Sequence, residues 1–173
     1  MTNTETTGNM MTAIFRHWSD AENAYKELLD RGFTRDQISV LMSEDTRTRY
    51  SGTETEFGTK AVEGLGAGAA VGGTVGAIIG AIAAIGTSIL LPGLGLIVAG
   101  PLAAALAGAG AGGITGGLIG ALIGTGIPEE TVQHYETGLR EGGIVLGFRP
   151  RNAVEANEVE SVWKNYNAAH INR

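Results

Sequence analysis

Three patterns of apolar and polar positions divide the chain. In residues 11–43 and 127–173 apolar residues recur at strand or helix spacing among charged ones. Residues 44–59 are polar without a period, and residues 60–126 are, apart from Lys60 and Glu63, mostly small and apolar. Met11 to Trp18 predicts a strand centred on Ala13, Ile14 and Phe15. Ser19 or Asp20 then offers an N-cap oxygen to the free amides of a helix start. Ala21, Ala24, Tyr25, Leu28 and Leu29 share one face at helical spacing up to about Arg31, and Gly32 ends the run. Gln37 to Met42 predicts a second strand with Ile38, Val40 and Met42 on one face. A helix between two strands of one sheet is a βαβ unit.

The C-terminal region repeats this grammar. Pro128 suits a first helical turn, and Glu129 and Glu130 sit at the positive end of the helix dipole. Val132, Tyr135 and Leu139 continue the apolar face until Gly142-Gly143. Ile144-Val145-Leu146-Gly147-Phe148 is unbroken, which predicts a strand buried on both sides. Asn152 can cap a last helix from about Ala153 to Ala168, with Ala156, Val159, Trp163 and Tyr166 inward.

From Gly64 to Pro128, 65 residues carry no charge. Glycine recurs there at every fourth position: Gly64, Gly68, Gly72, Gly76 and Gly80, then Gly108, Gly112, Gly116, Gly120 and Gly124. Leu91-Pro92-Gly93 to Gly100-Pro101 interrupts the two rows. The pattern predicts two helices folded into a hairpin over residues 60–126, with the ten glycines as helix-packing positions. A four-residue step drifts about 40° around a helix, so such a row suits crossing rather than parallel partners. Ten helical glycines cost on the order of 8–10 kcal/mol relative to alanine, which close packing, a bilayer or both must offset. Each helix is therefore expected to touch its hairpin mate and at least one other helix, which favours a homo-oligomer.

At about 45 Å and 36 Å the two helices would be long enough to enter a bilayer. No aromatic residue lies between Phe57 and Tyr135 to form an interfacial belt, and the tip from Leu90 to Leu102 has no charge. A tip lodged within a membrane and a tip buried in a soluble assembly both fit. The chain has a net charge of −6 with both signs mixed and no basic stripe, so nucleic acid is not an expected partner. It has no cysteine, which removes disulfide, thiolate and zinc-thiolate chemistry. Residues 1–10 are polar and are read as a disordered tail without signal-peptide character.

Candidate chemistry is sparse. Gly108-x-Gly110-x-x-Gly113 matches a dinucleotide fingerprint in letters, but no strand precedes it, and helix packing is the better account. His17, His134 and His170 are scattered; Glu130 lies one turn before His134, the spacing of a surface contact. Trp18, Tyr135 and Trp163 read as core. No catalytic, cofactor-binding or metal-binding residue and no small-molecule substrate is identified, and the protein is expected not to be an enzyme.

The order β-α-β, hairpin, α-β-α is close to a split βαβ, so the expected class is α+β. The expected architecture is a ferredoxin-like sandwich interrupted by a long glycine-zipper helical hairpin. Residues 11–43 and 127–173 would form the domain and 44–59 a polar linker. Only Tyr50 to Phe57 is a candidate for that pattern's missing third strand, and the last helix is extra. Two runs extend the argument: Asp20-Ala21-Glu22-Asn23-Ala24 with Leu28-Leu29-Asp30-Arg31-Gly32-Phe33, and Gly126-Ile127-Pro128-Glu129-Glu130 with His134-Tyr135-Glu136 and Gly138-Leu139-Arg140-Glu141-Gly142-Gly143-Ile144-Val145. They resemble bacterial general stress proteins of the YflT-like, heat-induced type, in versions carrying an inserted glycine zipper. The resemblance covers most of the chain outside the tail and linker, and its motifs are structural. It implies a ferredoxin-like domain, a stress-related role and often membrane segments, and it carries over no catalytic residue. The expected function is thus a non-enzymatic stress-related protein that self-assembles through its hairpin and associates with the membrane. The alternative is a soluble homo-oligomer with the hairpins bundled in a dry core. Expected partners are further copies of the chain and the lipid bilayer, and the expected location is the cytoplasm or the cytoplasmic face of the inner membrane.

Overall fold

A computed structural model describes residues 9–51, 78, 80, 82, 89–91, 95–108 and 117–173. Strand β1 (Met11–Phe15) leads to helix α1 (Trp18–Asp30), β2 (Ser39–Ser43) and helix α2 (Glu44–Ser51). Strands β3 (Ile89–Leu91) and β4 (Leu96–Ala99) follow, then helices α3 (Pro101–Gly108), α4 (Gly117–Ile123) and α5 (Glu129–Arg140). Strand β5 (Ile144–Phe148), helix α6 (Ala153–Asn165) and strand β6 (Ala169–Asn172) complete the described chain. The strands form one antiparallel sheet in the order β3-β4-β2-β5-β1-β6.

Strand alternation splits the core in two. One face carries Ala13, Phe15, Val40, Met42, Ile97, Ala99, Ile144, Leu146 and Phe148, packed against α1 and α6. The other carries Ile14, Leu41, Leu96, Val98 and Val145, packed against α3, α4 and α5. The unbroken apolar run of β5 is buried throughout, as two covered faces require. Trp18, Tyr135 and Trp163 are core residues, as expected.

β1 and β2 run parallel with β5 between them, and β4 and β5 run parallel with β2 between them. Both are split βαβ units, and each begins towards the outside of the sheet and ends at its centre. This order, and helices on both faces, depart from the expected ferredoxin-like sandwich. The reason is the second apolar face of β2, β4 and β5, which needs a helical layer of its own. Residues expected in the hairpin supply that layer: Leu102, Ala103 and Leu122 are fully buried on it.

The expected hairpin tip, Leu90 to Leu102, is corrected for the same reason. Its described part is not a helical turn, because Ile89–Leu91 and Leu96–Ala99 pair as strands and β4 adds to β2. A third strand of the central sheet therefore comes from here; of the candidate segment Tyr50 to Phe57 only Tyr50 and Ser51 are described, and both are helical. Tyr50 lies in α2, stacked on Trp18 at 4.2 Å. The polar linker is in part this helix: Ser43 Oγ accepts the Thr46 amide at 3.1 Å, and the buried Thr46 hydroxyl donates to the Gly142 carbonyl at 3.3 Å. Residues 52–59 of the linker lie outside the described residues.

Helix ends follow the sequence more closely. After α1, the amides of Gly32 and Phe33 bond the carbonyls of Leu29 and Leu28. After α5, the amides of Gly142 and Gly143 bond those of Leu139 and Gly138 in the same offsets. Asn152 caps α6 by accepting the Glu155 amide at 2.9 Å. The expected Ser19 or Asp20 cap of α1 is corrected: the helix starts earlier, and His17 takes the cap position without a side-chain bond. Helix α6 ends at Asn165, three residues short of the expected Ala168, and the unexpected strand β6 follows.

Candidate assembly surface

Where the helices bury some residues they must present others. Ile78 and Ile82 are helical and buried in the same core face as α1 and α6. The buried Glu22 carboxylate of α1 accepts the Ile78 amide at 3.4 Å. Gly80 lies two residues from each isoleucine, about 200° around a helix. It is exposed, and a Cβ there would meet none of the described residues within 4 Å. In α4, Leu122 is buried on the opposite face of the sheet, and Gly120 again points away, exposed and with none of them within 4 Å. Gly124, one turn on, is exposed too, and Ile123 beside it keeps 39% of its surface.

The two rows are thus separated by the whole sheet at their described positions. Gly80 belongs to one outer layer and Gly120 to the other, so these two do not face each other within one chain. That corrects the expectation of a hairpin mate at this level. The strand insertion at 89–99 is the cause, since it passes the chain from one face of the sheet to the other. Gly108 closes α3. Gly64, Gly68, Gly72, Gly76, Gly112 and Gly116 lie outside the described residues. Among the described residues no helix is long and apolar enough to cross a membrane.

Side chains with reactive groups are placed structurally. His134 does not pair closely with Glu130; its ring stacks on His170 at 3.9 Å and 11°. The Tyr135 hydroxyl bonds Thr12 Oγ1 at 2.9 Å and donates to the His170 carbonyl at 2.8 Å, and burial holds this phenol protonated well above its usual range. Burial does the same to Tyr25. Among the described residues no group of three or more His, Asp or Glu could hold a metal ion.

Two contributors escaped the sequence reading. Glu22 lies on the inner face of α1, and its spacing with Ala21 and Tyr25 was the available signal. Arg151 lies 4.3 Å over the Phe33 ring and donates to the carbonyls of Arg31 and Gly32 at 3.3 and 3.2 Å. It ties the end of α1 to the start of α6, and no local pattern announces it. No protein-family profile, characterised protein or solved structure matches the chain.

Proposed function

We propose that this is a non-enzymatic, stress-related protein that assembles with copies of itself through its outward glycine faces. The stress role rests on the family resemblance alone. The assembly reading rests on one observation: Gly80 and Gly120 are bare, exposed and on opposite sides of the sandwich. Helical glycine is costly unless another backbone uses the space it leaves. On this reading the neighbour that uses the space at both positions is a second molecule. A face that meets its own copy closes a dimer, whereas Gly80 against Gly120 of the next copy propagates.

The apolar side chains of both rows also support a soluble assembly over an inserted hairpin. Ile78, Ile82, Leu102 and Leu122 are used to cover the sheet, so they are not free to face lipid. A second reading, peripheral contact with a bilayer, is favoured by exposed Ile123 within the uncharged outer surface of α4. On the first reading the location is the cytoplasm, and on the second it is the cytoplasmic face of the inner membrane.

The test is the mass of the full-length protein in solution, by light scattering after size exclusion. Wild type should run at a multiple of 17.8 kDa. The double variant Gly80→Leu, Gly120→Leu should fall to a single chain with an unchanged circular dichroism spectrum. A wild-type monomer at tens of micromolar, or a double variant of undiminished mass, refutes self-assembly. Sedimentation of wild type with anionic vesicles decides the bilayer reading.

A further inference from the structure

β6 is the outermost strand on its side of the sheet and, among the described strands, is bonded to β1 alone. Its register on β1 shifts between Thr12 and Ile14, and none of its four residues is fully buried: three are partly buried and His170 is exposed. Asn167 and His170 both adopt positive φ, at 55° and 48°, which non-glycine residues rarely do. A short edge strand with no fully buried residue and with such strain opens at lower cost than the strands inside the sheet. What fastens it to the body is α5: the Tyr135 hydroxyl bond to the His170 carbonyl on the inside, and the His134–His170 ring stack on the outside.

We propose that the stacked His134–His170 pair is a pH-sensitive latch, which holds β6 on the sheet at neutral pH and releases it when the pair takes up protons. Neutral imidazoles at 3.9 Å attract as stacked rings. Two imidazolium ions at that distance repel, so a charge on His134 disfavours loading the His170 ring. The other charges around the pair set the balance. Arg16, at the end of β1, adds repulsion, although it is shared with Glu141 at 3.5 Å. Glu130, one turn before His134 in α5, works the other way. On the α6 side Arg173 is taken up by Glu160 at 2.9 Å, and this carboxylate is held below its usual range, chiefly by its hydrogen bond to Lys164, so it stays charged across the transition. Asn167 bonds the Asp20 carboxylate at 3.1 Å and contributes no proton.

The geometry agrees with the direction of the His170 shift. Burial first, then His134 and Arg16, hold this imidazole below its usual range. An unlatched β6 therefore binds the proton more readily than a latched one. The latch is complete above about pH 6.5, the value for free histidine, and is lost as pH falls through the lower value of the docked ring. Linkage to one proton sets a ceiling of about tenfold per pH unit on the opening equilibrium.

Hydrogen exchange of the intact full-length protein, followed by mass spectrometry from pH 7 to pH 5 and corrected for intrinsic rates, tests the proposal. Opening of the 168–173 segment should rise several-fold on acidification, within that ceiling, while β5 stays protected. His134→Phe keeps an aromatic ring for stacking and removes the proton site, so its segment should show a flatter pH profile. In the same variant the His170 ring, followed by proton NMR, should titrate at higher pH than in wild type. Unchanged protection of the wild-type segment between pH 7 and 5 overturns the latch. So does a His134→Phe protein with the wild-type exchange profile, or with an unmoved His170 titration.

Discussion

Gly100 is where the second half of the fold is pinned to the first. It joins β4 to α3 with φ +77°, and a Cβ there would collide with the Ile38 carbonyl oxygen and lie 2.9 Å from its carbon and 3.0 Å from Ser39 Cα. These are backbone atoms at the start of β2, and Ser39 Oγ accepts the Leu102 amide at 3.1 Å just beside them. Gly100→Ala therefore incurs two costs. A left-handed alanine costs about 1–2 kcal/mol. Forcing apart packed backbone adds about 1–3 kcal/mol, the range for overpacking. The sum, about 2–5 kcal/mol, is a large share of the roughly 5–15 kcal/mol that stabilises a domain. Two other glycines separate the terms. Gly95 has φ +58° and none of the described residues within 4 Å of a Cβ, so Gly95→Ala should show only the first cost. Gly80 is helical with none of the described residues against it, so Gly80→Ala should gain about 0.8–1 kcal/mol in the single chain, at a protein concentration low enough to dissociate any assembly. Urea unfolding followed by the fluorescence of buried Trp18 and Trp163, at one fixed protein concentration, measures all three. If Gly100→Ala is no worse than Gly95→Ala, the close approach of α3 to β2 is not what the glycine serves.

Tyr135→Phe leaves Thr12 and the His170 carbonyl without their shared hydroxyl partner, and should cost about 1–3 kcal/mol in the same urea assay. It should also speed exchange in β6 at neutral pH, and an unaltered β6 would show that the phenol does not fasten this strand. Arg151→Ala should cost about 0.5–1.5 kcal/mol through its lost carbonyl bonds and ring contact. Arg151→Lys should recover only part of that loss, because a point charge cannot reproduce the planar fork.

How much of this architecture was readable depended on whether an element carried its own signal. α1, α5 and α6 did, since Ala21–Leu28, Val132–Leu139 and Ala156–Trp163 mark faces at helical spacing that the sheet then buries. β5 did through its unbroken apolar run. Leu96-Ile97-Val98-Ala99 carries the same run between Gly95 and Gly100, but the glycine periodicity on either side pointed to helix and masked it. α2 has no apolar face to detect; its signals were the Ser43 cap and the acids Glu44 and Asp45 in its first turn. β6 is short and half exposed, and its place depends on the bond from Tyr135 to His170, 35 residues apart. Which sides of the sheet Gly80 and Gly120 occupy was not legible, because that is fixed by strand pairing distant in sequence.

β5 fills the slot between β1 and β2, yet a ribosome makes it about a hundred residues after β2. At ordinary elongation rates of about 5–20 residues per second the delay is on the order of 5–20 s. Throughout it, β1 and β2 have no common neighbour, and the emerging uncharged segment has no finished layer to cover. Contacts this distant in sequence also make for slow closure once the strand arrives. The nascent chain is thus a natural client for holding chaperones until its keystone is translated.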